Sequence, residues 1–122
     1  MHLFKYDARM QPILSVRFYR TTSGKEPVRD WLIEQVSLGA RKAIGADIKT
    51  VQFGWPIGMP VVRKIEPGLW EVRSNIPEGI SRLLFTVSGS DLVLLHGFIK
   101  KTQAIPKADL ALAETRMKEV NA

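Results

Sequence analysis

The sequence predicts an α+β fold: a mainly antiparallel, twisted sheet with an N-terminal helix pair and a C-terminal helix. Three observations support this fold class. Apolar residues recur at helical spacing over residues 27–53, alternate with a period of two over residues 60–100, and return to helical spacing after Pro106. The 122 residues suffice for one hydrophobic core. We therefore expect a flexible N-terminal arm at residues 1–12 and a single domain at residues 13–122.

The first half of the chain predicts one strand and the helix pair. Alternating apolar residues at positions 13–20 indicate a half-buried strand. Ser23 and Glu26 have the spacing of a capping box, and Pro27 suits a first helical turn. A first helix should end at Gly39, and a second helix follows at once. Because their connection is so short, the two helices should form an antiparallel hairpin.

The second half predicts four strands and one helix. The strands are expected at residues 61–65, 69–74, 80–88 and 92–100. Residues 80–87 are apolar on both faces except at Arg82, so that strand should lie at the centre of the sheet. Pro106 suits the first turn of the last helix, and we expect the helices to lie mostly on one face of the sheet.

Charge and composition narrow the classes of function. The chain has 18 Lys and Arg residues against 12 Asp and Glu, and its formal net charge of +6 favours a polyanionic partner, chiefly nucleic acid or anionic membrane. The absence of cysteine excludes disulfides and thiolate metal sites. No apolar run approaches the ~20 residues of a spanning helix, and the first residues lack the apolar segment of a secretory signal. We expect a cytoplasmic protein without a membrane partner.

Basic residues interrupt strands that otherwise favour burial. Arg73 and Arg82 lie inside two predicted strands. His96, Phe98 and Lys100 alternate along the last strand and so share one face. We take the two arginines, His96 and Lys100 as candidate catalytic residues, and Phe98 as a surface on which a base can stack. Further basic residues that we expect to contact nucleic acid are Lys101, Lys107, Arg63 and Lys64.

Each candidate also has a purely structural interpretation. Arg82 can form a salt bridge to a carboxylate such as Glu71, and Arg73 can lie on a solvated sheet face. His96 can be a hydrogen-bonded core residue that does no chemistry, and Phe98 can belong to the core. The lysines at the end of the last strand can form a solvated basic corner. The sequence leaves these alternatives open.

The same residue types suit RNA cleavage without a metal ion. The chain has no carboxylate cluster and only 2 histidines, far apart in sequence, so we expect no metal site. No glycine-rich loop has the spacing of a phosphate cradle, and no cofactor is expected. Arg, Lys and His near one sheet face can instead assist attack of a ribose 2′-OH on the adjacent phosphorus. They would stabilise the developing charge and move protons.

Several stretches resemble one known family. Residues 94–103 read LLHGFIKKTQ, with Pro106 shortly after, and this run closely resembles a signature of phage-derived HigB-like toxins in the RelE superfamily. LWEVR at residues 69–73 and SRLLF at residues 81–85 resemble the two strands that precede the signature. PVRDWL at residues 27–32 resembles the first helix of these toxins. The resemblance extends over about residues 13–120, nearly the whole chain.

The resemblance implies a RelE-like fold, cleavage of mRNA in the ribosomal A site, and inhibition by an antitoxin, commonly a helix-turn-helix protein. Arg73 and Arg82 match the family's phosphate-contacting strand arginines, and Lys100 and Lys101 match its basic residues at the end of the last strand. Some relatives place a catalytic tyrosine near the C-terminus, but the only tyrosines here are at positions 6 and 19. His96 is therefore the best local candidate for the general acid or base.

Two other functions fit the same sequence. A non-catalytic module that binds structured RNA or the ribosome would use the same basic face, because binding and cleavage both need cations near phosphates. A phage structural or assembly protein could carry the same fold, because fold does not fix function. Cleavage of mRNA on translating ribosomes by the purified protein distinguishes the first alternative, and the identity of neighbouring genes distinguishes the second.

Overall fold

The computed structural model of the protein describes residues 11–100 and 104–122, and it confirms the α+β class. Most of the predicted arm, as well as Lys101, lies outside the described residues, so the arm and the domain boundary remain predictions. In chain order the elements are β1 (Ser15–Phe18), α1 (Pro27–Glu34), α2 (Leu38–Gly54), β2 (Val62–Glu66), β3 (Leu69–Ile76), β4 (Gly79–Ser88), β5 (Asp91–Lys100) and α3 (Lys107–Val120).

The five strands form one mixed sheet in the order β1-β5-β4-β3-β2. β1 runs parallel to β5, whereas β2–β3, β3–β4 and β4–β5 are antiparallel pairs. β4 is the middle strand, as its two apolar faces predicted. The sheet is therefore mainly antiparallel, and among the described strands the parallel pair joins the first strand to the last.

Helices cover both faces of the sheet. α1 and α2 pack on one face, against a core that includes Val72, Phe85 and Leu94. α3 packs on the other face, against a smaller core that includes Leu84 and Leu95. Two of the three described helices, α1 and α2, thus share a face, as predicted. The candidate site lies on the other face, which α3 covers. No helix in the described ranges is long and apolar enough to span a bilayer.

The ends of α1 differ from the sequence prediction. The prediction of a capping box is wrong, because Glu26 occupies the N-cap position of α1 and no side chain forms a capping hydrogen bond there. The break between α1 and α2 falls at Ser37, whose hydroxyl accepts a hydrogen bond from a backbone N–H in the first turn of α2, and Gly39 lies inside that turn. The Arg41 guanidinium then donates to the carbonyls of Leu32, Ile33 and Val36, over 2.8 to 3.2 Å, and so ties the first turn of α2 to the end of α1 and the connection after it.

A register shift in β5 sets the direction of its last side chains. Leu84 and Phe85 of β4 pair with His96 and Leu94, so Leu95 is an extra residue in β5, as in a β-bulge. Leu95 belongs to the core under α3, and the His96 ring bonds to α3, so two consecutive residues contact that side. The bulge thereby places the alternating residues from His96 onward on the face of α3.

Gly97 is needed where α1 crosses β5. A Cβ at this position would lie 2.6 Å from a methyl carbon of Leu83 and 2.8 and 2.9 Å from two ring carbons of Trp31. We expect Gly97→Ala to lower the free energy of unfolding by about 1–3 kcal/mol, because neither neighbour can move without disturbing the core. Urea denaturation measures this change.

The matched control is Gly39→Ala. A Cβ there meets no atom within 4 Å, and the residue lies in a helix. This variant should be as stable as the parent, or more stable by about 0.5–1 kcal/mol, because alanine is the better helix former. Equal stability of Gly97→Ala and the parent would show that Trp31 does not pack as described.

Candidate active site

The strand register brings six candidate side chains to one face of the sheet, of which His96 lies apart from the other five. Arg73 of β3 lies opposite Arg82 of β4, and Arg82 lies opposite Phe98 of β5. Lys100 follows two residues after Phe98, and Arg63 of β2 lies opposite Glu71, two residues before Arg73. Directly opposed residues of antiparallel strands share a face. We call Arg63, Arg73, Arg82 and Lys100, grouped around the Glu71 carboxylate, the cation cluster.

Arg82 and Glu71 form a buried ion pair at the centre of the cation cluster. Nη1 of Arg82 donates to Oε1 of Glu71 over 2.6 Å, and the two side chains are 3% and 0% exposed. The predicted salt bridge between Arg82 and Glu71 is therefore confirmed. Among the described residues, Arg82 Nε and Glu71 Oε2 are buried without a hydrogen-bond partner. Unsatisfied buried polar atoms of this kind are rare in folded proteins.

Lys100 is buried beside this pair, with 6% of its surface exposed. Burial lowers the pKa of the Lys100 ammonium, and the positive charges of Arg82, Arg63 and Arg73 lower it further, while Glu71 opposes the shift. All three arginines of the cluster thus act electrostatically on Lys100. A lysine in such surroundings releases its proton more readily than one in water.

The two arginines at the rim of the cluster are more accessible than its centre. Arg63 and Arg73 are both half-buried, and Asn75, the next residue on the same face of β3, is exposed. Within the cluster as defined, the Glu71 carboxylate faces four cationic side chains, so these five described residues together carry an excess of positive charge. A phosphate that approaches this face meets Arg63 and Arg73 first, with Lys100 and Arg82 beneath them.

His96 lies further along β5 and has a partner that sequence reasoning missed. Its Nε2 is 2.6 Å from Oδ1 of Asp109 in α3, and its ring stacks on Phe98 with centroids 5.8 Å apart and planes 28° apart. Four residues of strand, or about 13 Å, separate His96 from Lys100. The two side chains therefore do not meet at one phosphate. Asp109 lies in the first turn of α3. The sequence does not show which strand residue this turn contacts, so Asp109 could not be predicted as the partner of His96.

The remaining predicted contacts are dispersed. Lys64 pairs with Trp70 across β2 and β3, so it lies on the face opposite to Arg63, where it is exposed. Lys107 is the exposed first residue of α3. Lys101 lies outside the described residues. Within residues 11–100 and 104–122, no three His, Cys, Asp or Glu side chains are grouped so that they could hold a metal ion.

Comparison with protein families identifies the family of this chain. The family described as phage derived protein Gp49-like (DUF891) matches residues 31–118. This span is more than two thirds of the chain, and it contains the whole cation cluster together with His96 and Asp109. A comparison with curated proteins finds no match.

Proposed function

The chain belongs to the phage-derived Gp49-like family, a RelE-like toxin family, and on that premise we propose that it is a ribosome-dependent mRNA endonuclease of the HigB type. The observation that carries the proposal is the cation cluster, because it concentrates guanidinium and ammonium groups on one sheet face. A toxin of such a family acts with an antitoxin. We propose a helix-turn-helix protein as that antitoxin, and mRNA in the ribosomal A site as the substrate.

Substrate binding begins at the half-buried rim of the cluster. The guanidiniums of Arg63 and Arg73 can donate paired hydrogen bonds to one phosphate, a geometry that arginine offers and lysine does not. Phe98 lies on the same face opposite Arg82, half-buried, and offers part of its ring to a neighbouring base. A single-stranded segment is the form of RNA whose bases are free to stack in this way.

Lys100 performs the proton transfer in our proposal. Its amine accepts the proton of the ribose 2′-OH as the 2′-oxygen forms a bond to phosphorus and the bond from phosphorus to the 5′-oxygen breaks. The 5′-oxygen takes a proton from water, and Lys100 later returns its own to solvent. The products are a 2′,3′-cyclic phosphate and a 5′-hydroxyl. The lowered pKa of Lys100 favours this role, because more of the amine is unprotonated near neutral pH.

Arg82 acts as a fixed charge under the phosphate and not as a mobile contact. Its guanidinium is held by Glu71 and is almost fully buried. A positive charge that is already oriented stabilises the negative charge that develops on phosphoryl oxygens without any reorganisation during the reaction. Glu71 is then the residue that positions Arg82.

The geometry favours Lys100 over His96 as the proton-transfer group. His96 is engaged with Asp109 and lies about 13 Å from Lys100 along β5, roughly two steps of alternating side chains. In our proposal His96 contacts the RNA beyond the scissile phosphate. The catalytic interpretation of His96 remains a separate prediction, and single-turnover cleavage by His96→Gln tests it.

The experiment that tests the function uses the purified protein and translating ribosomes. We expect cleavage within the ribosome-bound segment of the mRNA, seen as new 5′ ends by primer extension, and no cleavage of the same free mRNA at equal concentration. Intact mRNA bound to the protein on ribosomes would support the non-catalytic RNA-binding alternative and contradict the proposal.

A further inference from the structure

A pocket of about 200 Å³ opens at the edge of β5, on the side where the sheet ends. β1 pairs with β5 only over residues 91–94, so among the described residues no strand covers this edge from Leu95 onward. The helices α1 and α3 border the edge instead. The pocket is lined by Pro27 and Trp31 of α1, His96 and Gly97 of β5, and Leu112 and Arg116 of α3.

Contacts outside the pocket hold its walls in place. Arg116 Nη1 donates to the Leu95 carbonyl over 2.8 Å, and its guanidinium carbon lies 5.1 Å from the centre of the Tyr19 ring. Asp109 fixes the His96 ring. The glycine at position 97 leaves room for the Trp31 ring against the strand. A pocket whose walls are fixed in this way requires little rearrangement to bind a ligand.

The lining indicates the chemistry of the ligand. The volume is smaller than the roughly 300 Å³ at which pockets for drug-sized molecules begin, and it suits one planar ring system. Trp31 and His96 offer aromatic rings, and Arg116 offers a guanidinium. Aromatic rings and guanidinium planes are the surfaces on which proteins stack unpaired bases.

The pocket continues the line of side chains that starts at the cation cluster. Lys100, Phe98 and His96 follow one another along one face of β5 in steps of about 7 Å, close to the spacing of nucleotides in an extended single strand. His96 stacks on Phe98 and also lines the pocket. A strand of RNA with its phosphate at Lys100 would therefore reach the pocket about two nucleotides away.

We propose that this pocket binds one base of the RNA substrate, about two nucleotides from the phosphate at the cation cluster, and so contributes to the choice of cleavage site. The inference rests on the proposed function for its substrate. The occupant is a nucleobase and not a peptide, because the flat rings and the guanidinium match a planar ring and the adjoining row of side chains leads to phosphate-binding cations.

Leu112→Trp tests the pocket, since residue 112 lines it, is 38% exposed, and can carry a larger side chain into the opening. Lys118→Trp is the matched control, because it adds the same ring to an exposed position of α3 away from the pocket. The four nucleoside 5′-monophosphates are titrated into isotope-labelled protein, and the indole N–H signal of Trp31 is followed by NMR. On ribosomes, the distribution of cleavage sites is compared among the three proteins.

We expect at least one monophosphate to shift the Trp31 signal in the parent and in Lys118→Trp, and to bind Leu112→Trp about 10-fold more weakly. The cleavage sites should be redistributed by Leu112→Trp alone. An unchanged Trp31 signal at saturating nucleotide, equal binding by Leu112→Trp, or a shift produced only by a peptide of the antitoxin would overturn the inference. The titration needs no cleavage, so failure of the proposed function leaves the binding result decisive.

Discussion

Lys100→Met is expected to lower the single-turnover rate of mRNA cleavage on ribosomes by about 10²-fold or more. The substitution removes the only buried lysine amine of the cation cluster and keeps an unbranched side chain of similar length. Burial lowers the pKa of Lys100, which means that its ammonium form destabilises the folded protein at neutral pH. Removing this cost favours folding of the variant, and urea denaturation shows that the lost rate reflects chemistry when the variant is folded under the assay conditions.

Two further variants identify what Lys100 contributes. Lys100→Arg keeps the positive charge but cannot exchange a proton, so it should also cleave slowly while RNA binding is retained. Lys42→Met removes an exposed lysine of α2 and should leave cleavage unchanged. Cleavage by Lys100→Arg at the parent's rate would contradict proton transfer by Lys100 and leave it with a purely electrostatic role.

Glu71→Ala is expected to have the largest effect on stability, a loss of about 3–5 kcal/mol in the free energy of unfolding. The substitution leaves the Arg82 guanidinium, 3% exposed, without the carboxylate that compensates its burial. A domain of ordinary stability has only about 5–15 kcal/mol to lose. Urea denaturation at neutral pH measures the change, and a loss below about 1 kcal/mol would contradict the buried ion pair.

The double substitution Glu71→Leu with Arg82→Met separates structure from catalysis. Because both charges are removed together, we expect it to recover most of the stability that the single variant loses. It should nevertheless cleave mRNA about 10²-fold more slowly than the parent, because the fixed guanidinium under the phosphate is gone. A stable double variant with normal cleavage would show that Arg82 has a structural role alone.

Most of the fold could be predicted because periodicity is a local property of the sequence. The alternation of apolar residues over residues 60–100 predicted four strands, and the two apolar faces of β4 predicted its central position in the sheet. The predicted capping box at Ser23 and Glu26 does not form. In that turn the Lys25 N–H donates a hydrogen bond to Thr21 Oγ1 instead. Local spacing identifies possible caps, but the conformation of the turn decides which one forms.

The geometry of the candidate site depends on strand register and on where helices and strands cross or end, which sequence patterns do not show. Glu71 could be named as a partner of Arg82, but the choice between ion pair and phosphate contact depends on register, which the short turn at residues 77–78 fixes. The contact between His96 and Asp109 depends on where α3 crosses β5. The pocket at the edge of β5 depends on where β1 ends.

In our proposal the protein cleaves mRNA on the ribosome through attack by a ribose 2′-OH. The most direct measurement compares single-turnover cleavage of two mRNAs on programmed ribosomes, identical except for a single 2′-deoxy nucleotide on the 5′ side of the scissile phosphate. We predict cleavage of the all-ribose mRNA to 2′,3′-cyclic phosphate and 5′-hydroxyl ends, and none at the deoxy position. Equal cleavage of both mRNAs, or products with 3′-hydroxyl ends, would contradict cleavage by 2′-OH attack.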